Sequence, residues 1–280
     1  MNRLIQPSDR TLIRLPNWLG DVICAEPVVR AFDQFYREHG ASQNLTLTAS
    51  SRLLSLFARQ LEGVQRLPDD RSPGDSPRGW RGNQAALLLT NSFRSAYFAW
   101  RARVPIRVGW SRDGRGLLLT HGIRPALERG GVPVGLGVSG RHPRILARPF
   151  GGACIELAHM LGVYVKETRP RLIPDEDGLR VFLARAKRLG IDPNAPFIVC
   201  NIGARPGSAK AVPAQIWARS IEALQKKTDV PILGVCGPGE KDLLHQTKDL
   251  VKSGKLYPYA DPGGRLDEVH FPRAVSPIRS

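Results

Sequence analysis

Short apolar runs alternate with longer amphipathic stretches along most of the chain. Thr11 to Leu15 is a β-like run. It leads into Pro16-Asn-Trp-Leu-Gly-Asp21 and then a helix from about Glu26 to Glu38. Pro27 falls in the first turn of that helix, where its missing N–H costs nothing. Asn44 to Ala49 alternates and predicts a second strand, and Ser51 to Gln60 predicts a helix. Ala85 to Thr90 predicts an apolar strand; Asn91-Ser-Phe-Arg-Ser95 then opens a helix to about Arg103. Strand, loop, helix, strand is the rhythm of βαβ units around a parallel sheet.

Arg71 to Gly82 is rich in Pro, Gly and Arg and predicts an exposed loop, and Gly130 to Pro149 predicts a long surface loop. Gly152 to Leu161 is helical, and Pro170 to Pro174 has the composition of a hinge. The alternation then restarts. Helices are expected from about Glu176 to Leu189, Ala214 to Lys227 and Glu240 to Lys252, with strands at Phe197 to Asn201 and Pro231 to Cys236. No short solenoid repeat is present. The expectation is an α/β protein of two Rossmann-like domains facing one cleft, residues 1–171 and 172–280.

Composition adds a bias. The chain has 280 residues, 41 Lys plus Arg and 25 Asp plus Glu, for a formal net charge of +16. The hydrophobic and charged fractions, 42% and 24%, are those of a globular protein rather than a disordered one. No run approaches the ~18 apolar residues of a membrane helix, and no signal peptide is legible. Cys24, Cys154, Cys200 and Cys236 have no ligand spacing, so buried thiols in a reducing compartment are expected and a zinc site is not. From Arg94 to Arg148 there are eleven arginines against two acids, Asp113 and Glu128. A solvated face explains that, as do nucleic acid, an anionic membrane surface or a phosphorylated substrate, since guanidinium suits phosphate. Composition does not choose among them.

Ligands of parallel α/β sheets bind outside the carboxyl ends of the strands, so three loops stand out. In Asn17-Trp-Leu-Gly-Asp21, Gly20 permits a tight turn and Asp21 is either a general base or a helix N-cap. Gly203-Ala-Arg-Pro-Gly-Ser-Ala-Lys210 precedes a helix; its small residues, the helix N-terminus and Lys210 suit a phosphate, or else form a flexible loop with a solvated lysine. It lacks the order of a Walker A loop. Cys236-Gly-Pro-Gly-Glu240 reads as a tight turn that could brush a ligand. Asp175-Glu-Asp177 matches a metal-binding string, but it opens a helix, where acids suit the dipole. The six histidines have no ligand spacing, and no Gly-x-Ser-x-Gly elbow is present.

Taken in order, these stretches resemble glycosyltransferase family 9, the ADP-heptose:lipopolysaccharide heptosyltransferases, and more closely the heptosyltransferase II branch. Pro16-Asn-Trp-Leu-Gly-Asp-Val22 is similar to the family's Pro-x-Trp-Val-Gly-Asp loop, and Thr90-Asn-Ser-Phe-Arg-Ser-Ala96 to its Pro-Asn-Ser-Phe-Lys-Ser-Ala. Arg107-Val-Gly-Trp110 with Gly116-Leu-Leu118 resembles its Arg-x-Gly-Trp…Gly-Leu-Leu. Gly203-Ala204 with Gly207-Ser-Ala-Lys210 and Pro213 resembles its Gly-Ala…Gly-x-Ala-Lys-Arg-Trp-Pro loop. The resemblance implies a two-domain B-type glycosyltransferase fold and an inverting transfer of heptose from ADP-heptose to the lipopolysaccharide inner core. Asp21 would be the base and Lys210 the stabiliser of the departing diphosphate. Gly203, Ala204, Gly207, Ser208, Lys210, Gly237 and Glu240 would meet the donor, and Asn17, Trp18, Gly20, Asn91, Ser92 and Arg94 the acceptor. It implies no metal, no cofactor beyond the ADP-sugar, no nucleic-acid partner, and a cytoplasmic monomer that is peripheral on the inner face of the inner membrane.

The chain departs from that pattern in places. Ile202 stands for the family's Pro before Gly-Ala, and Ala211-Val212 for Arg-Trp after the lysine. The family's later Asp-Ser-Gly-x-x-His loop has no counterpart, so the second domain is expected to be truncated, short of a phosphate loop and weakened. Two rival readings follow: a non-catalytic acceptor-binding protein of the same fold, and a basic nucleic-acid binder with a steep salt dependence.

Overall fold

The computed structural model describes residues 4–69, 77–124, 127–133, 144–145, 148–174, 176–204 and 211–259. The chain divides into two compact units, Met1–Ile173 and Pro174–Ser280.

The first unit is built on β1 (Thr11–Arg14), α1 (Leu19–Arg37), β2 (Leu45–Ala49), the short α2 (Ser51–Leu54), β3 (Gln65–Pro68), β4 (Ala85–Leu88), α3 (Phe93–Arg101), β5 (Ile106–Trp110) and β6 (His121–Ile123). The six strands form one sheet in the order β3-β2-β1-β4-β5-β6, every pairing parallel. Successive residues of a strand face opposite sides, and here both sides are covered. Ile13, Leu45, Leu47, Ala85 and Leu87 pack under α1 and under α4 (Phe150–Met160). Leu12, Ala86 and Leu88 pack under α3, which lies close because it presents Ala96 and Ala99 to the sheet. Between β6 and α4, β7 (Leu127–Pro133) pairs antiparallel with β8 (Arg144–Ile145).

In the second unit, α5 (Glu176–Arg188) precedes β9 (Ile198–Asn201), α6 (Ala214–Gln225), β10 (Ile232–Val235), α7 (Lys241–Leu250) and β11 (Leu256–Tyr259). The parallel sheet runs β11-β10-β9. Ile232 points into a core with Ala218, Ile221 and Leu244 of α6 and α7, and Leu233 into one with Phe182 and Ala186 of α5.

Several sequence expectations need correction. The first helix starts at Leu19, not Glu26, because Val22, Ala25, Val28, Val29, Phe32, Phe35 and Tyr36 make one continuous buried stripe. Pro27 is therefore inside α1, where it leaves one carbonyl without its helical N–H. Gly20 is the helix's second residue, with ordinary φ, and makes no tight turn. The stretch 130–149 is not wholly loop, since it holds part of β7 and all of β8. Strands β3, β5, β6 and β11 carry no clear apolar run. β3 is a polar edge strand ending at Pro68, a position that needs no ladder N–H. β5 contains Arg107, whose guanidinium stays satisfied by the carbonyls of Leu118 and Val104, each 2.6 Å away.

The division after Ile173 has a physical cause. Glu26 is buried on α1, and its carboxylate accepts from Arg30 Nε (2.9 Å) and from the backbone N–H of Arg171 (2.8 Å). Arg30 in turn donates to the carbonyl of Arg169 (2.9 Å), and Gln60 accepts from the Ile173 N–H (2.8 Å). The connecting segment is thus fastened to the first unit as far as Ile173.

Candidate functional site

The strand order of the first sheet reverses at β1, whose neighbours are β2 on one side and β4 on the other. A crevice at the carboxyl ends of the strands is expected beside such a switch point. The two loops that leave there are Leu15–Trp18 and Leu89–Ser92, held side by side by the Leu89 N–H bonded to the Arg14 carbonyl (3.0 Å). The fold therefore brings Asn17, Trp18, Gly20 and Asp21 next to the loop that carries Asn91, Ser92 and Arg94.

Asp21 sits in the first turn of α1, half-exposed. The N-cap is Trp18, which offers no side-chain cap, so Asp21 does not serve as the N-cap. No other described residue forms a hydrogen bond or ion pair with its carboxylate, which leaves the oxygens available to accept a proton. Cys154 of α4 lies near enough to feel that charge. Burial first, then Asp21 and Cys24, push its thiol up to about 12.

Beneath the loops lies an ion network that sequence reasoning missed. Arg14, the last residue of β1, is buried; its Nη2 meets Asp69 Oδ2 at 3.0 Å and donates to Asn17 Oδ1 at 2.9 Å. Asp69, directly after β3, also faces Arg94 Nη2 at 3.7 Å. One carboxylate thus ties the β1 loop to the first turn of α3. Arg14 is legible as a charge at the end of an apolar strand. Its partner, far away in sequence, is not.

The β4–α3 loop is fixed in two ways. Ser92 caps α3, its Oγ accepting from the Ser95 N–H at 3.1 Å, which leaves its own hydroxyl proton free to donate. The Thr90 and Ser95 hydroxyls are 2.8 Å apart. From below, Arg115 is fully buried and donates from Nη1 to the Thr90 carbonyl and, at 3.2 Å, to that of Ser92. Its Nε and Nη2 have no partner among the described residues. Burial lowers this guanidinium to about 10, with Asp113 offsetting part of the effect, so it stays charged at neutral pH. Glycine is needed at position 109, where a Cβ would stand 2.7 Å from Arg115 Nη2. Nothing in the sequence distinguished Arg115 from its ten arginine neighbours.

In the second unit, the candidate loops leave adjacent strands β9 and β10. Glu240 reaches back to accept from the Gly237 N–H at 2.8 Å. A Cβ at Gly203 would fall 1.8 Å from Glu240 Oε2, so glycine is what lets the carboxylate sit there. Glu240 thus joins the Gly203 and Gly237 loops, with Ala204 following directly. Gly207, Ser208 and Lys210 lie outside the described residues, as do Asp175 and residues 260–280. Among the described residues no cluster of His, Cys, Asp or Glu is fit to hold a metal, and no helix is long and apolar enough to cross a membrane.

No family model matches the sequence, and no curated protein matches it. Solved structures do. A glycosyl transferase family 9 protein from Veillonella parvula superposes with a TM-score of 0.65 over 94% of this chain and 73% of its own, at 16% identity. The E. coli ADP-heptose lps heptosyltransferase II gives 0.61 over 92% and 74%, at 19% identity. The E. coli heptosyltransferase WaaC, solved with ADP, gives 0.56 over 90% and 74%, at 15% identity. At such identities the likeness is one of fold: this chain has the α/β fold of the family 9 glycosyltransferase structures.

Proposed function

We propose that the protein is a glycosyltransferase of the family 9 type, moving a heptose with inversion from ADP-heptose to a phosphorylated lipopolysaccharide inner-core acceptor. The observation that carries this reading is Asp21: a half-exposed carboxylate without a protein partner among the described residues, at the switch point of a fold shared with heptosyltransferases. In the proposed reaction Asp21 takes the proton of the acceptor hydroxyl. The hydroxyl oxygen forms its bond to the anomeric carbon as the bond from that carbon to the diphosphate breaks, and ADP leaves. Asn17, Trp18, Gly20, Asn91, Ser92 and Arg94 would position the acceptor, with Arg115 and the Arg14–Asp69 pair holding their loops in place. Lys210 and the Gly203–Ala204 and Gly207–Ser208 stretches would receive the diphosphate, where a preorganised cation gains most as charge develops. Glu240 would act through the Gly203 and Gly237 backbone that it joins. An anionic membrane surface would present the lipid-linked acceptor.

The test is turnover of ADP-heptose with a deacylated core acceptor. Asp21→Ala is expected to lower kcat about 10²- to 10⁴-fold, the range of general base catalysis. Retained activity would remove Asp21 from the role. Lys210→Ala should chiefly raise KM for the donor and slow departure of ADP. Calorimetry with ADP separates the rival: folded protein that binds no ADP would favour a non-catalytic, acceptor-binding role.

A further inference from the structure

Helix α3 turns three large rings away from the protein. Phe93, Tyr97 and Trp100 stand at i, i+4 and i+7, on one helical face, and are 54%, 36% and 49% exposed. The Tyr97 and Trp100 rings lie with centroids 5.9 Å apart. The 3-10 turn Arg115–Leu118 packs beside α3 and leaves Leu117 94% exposed. Single exposed apolar residues are ordinary, but a cluster of this kind marks an interaction surface.

The neighbouring charge is mostly positive, with Asp69 facing Arg94 and Asp113 paired with Arg112 as the nearby acids. From Pro77 to Arg112 there are seven arginines and not one carboxylate. Arg101 and Arg103 are exposed at the end of α3, and neither guanidinium pairs with another described residue. Arg103 also holds a positive φ of 58°, just past the helix end, where glycine is the usual occupant. The fold keeps an arginine where its backbone would prefer none.

We propose that this face of α3 docks on an anionic phospholipid surface. Phe93, Tyr97, Trp100 and Leu117 would enter the interfacial region, where amphipathic aromatic rings are favoured. Arg101 and Arg103 would meet headgroup phosphates. The rings stand on the outward face of a helix rather than in a groove that could track a nucleic-acid strand, which favours lipid over RNA or DNA. The inference rests on the membrane contact proposed above and gives it a place, but it is measured without any sugar transfer.

The experiment is co-sedimentation of the full chain with phosphatidylglycerol/phosphatidylcholine vesicles, against phosphatidylcholine alone. The wild type should bind the anionic vesicles and lose them as salt rises. Tyr97→Ala/Trp100→Ala and, separately, Arg101→Gln/Arg103→Gly should each weaken binding by about tenfold or more, with unchanged circular dichroism melts. Arg103→Gly relieves backbone strain, so its loss of binding cannot be blamed on unfolding. Brominated lipid should quench wild-type tryptophan fluorescence, and less so in Trp100→Phe. Equal binding to neutral vesicles, or wild-type binding by both double variants, overturns the proposal. So does binding to a single-stranded oligonucleotide, or formation of a dimer, that the variants abolish while vesicles bind no protein. Loss of transfer in Asp21→Ala with vesicle binding intact would leave the docking surface standing by itself.

Discussion

Asp69 shows how one side chain can set the geometry of a candidate site without belonging to it. Its carboxylate holds buried Arg14 at 3.0 Å and reaches toward Arg94 at 3.7 Å, so the β1 and β4 loops share an anchor. Removing Asp69 breaks a close, largely buried ion pair, and such losses are costly. Asp69→Ala should therefore destabilise the first unit by about 3 kcal/mol, and a denaturant melt reads it directly. An unchanged midpoint would show that the Arg14 hydrogen bonds to the Leu15 and Thr48 carbonyls are enough to hold it. Asp21 is the opposite kind of residue. It contributes little visible binding to the fold, so its substitution should be felt in transfer rather than in the melt.

At the scale of elements, the segment after α4 is the informative case. Its Pro and Arg content reads as a hinge, yet Glu26, Arg30 and Gln60 fasten it to the first unit through bonds to its backbone. Glu26→Ala should release it. Limited trypsin digestion of the folded protein should then cleave after Arg171 several-fold faster than in the wild type, because cleavage follows the population of the locally opened form. An unaltered digestion pattern would mean that the Arg30 and Gln60 bonds alone hold the segment. Helix α1 makes a related point. Its buried stripe carries the helix through Pro27, so tertiary packing overrides a local breaker whose cost in a helix interior is about 3 kcal/mol.

For the molecule as a whole, buried proton donors should set the response to alkali. Cys154 is pushed from 9.0 to about 12 and Tyr36 from 10.0 to about 12, in both cases chiefly by burial. The unfolded chain sheds these protons first and the folded chain keeps them, so stability is full below pH 9 and falls above it. For Cys154 alone the slope approaches ~1.4 kcal/mol per pH unit between pH 9 and 10. Urea melts across that window should show a shallower decline in Cys154→Ala, and parallel slopes would refute the assignment. Arg115, lowered to about 10, works in the other direction above that pH, which is why the window stops there. The sequence by itself determined the parallel α/β class, because strands buried on both faces read as continuous apolar runs, as at Thr11–Leu15 and Ala85–Thr90. It also placed Asn91 and Ser92 in a loop directly after a strand, whereas Asp21, expected in the first such loop, lies in the first turn of α1. It missed β3, β5, β6 and β11, whose residues are polar, or broken by Arg107, Gly109 or a proline, and which become strands only by pairing with a neighbour. Only the tertiary structure decided the order β3-β2-β1-β4-β5-β6, which sets the loops of β1 and β4 side by side. It also decided which arginines anchor loops. Arg14 ends an apolar strand and Arg94 sits in a recognisable loop motif, but their anchoring roles, like that of Arg115, come from burial and a distant carboxylate or carbonyl.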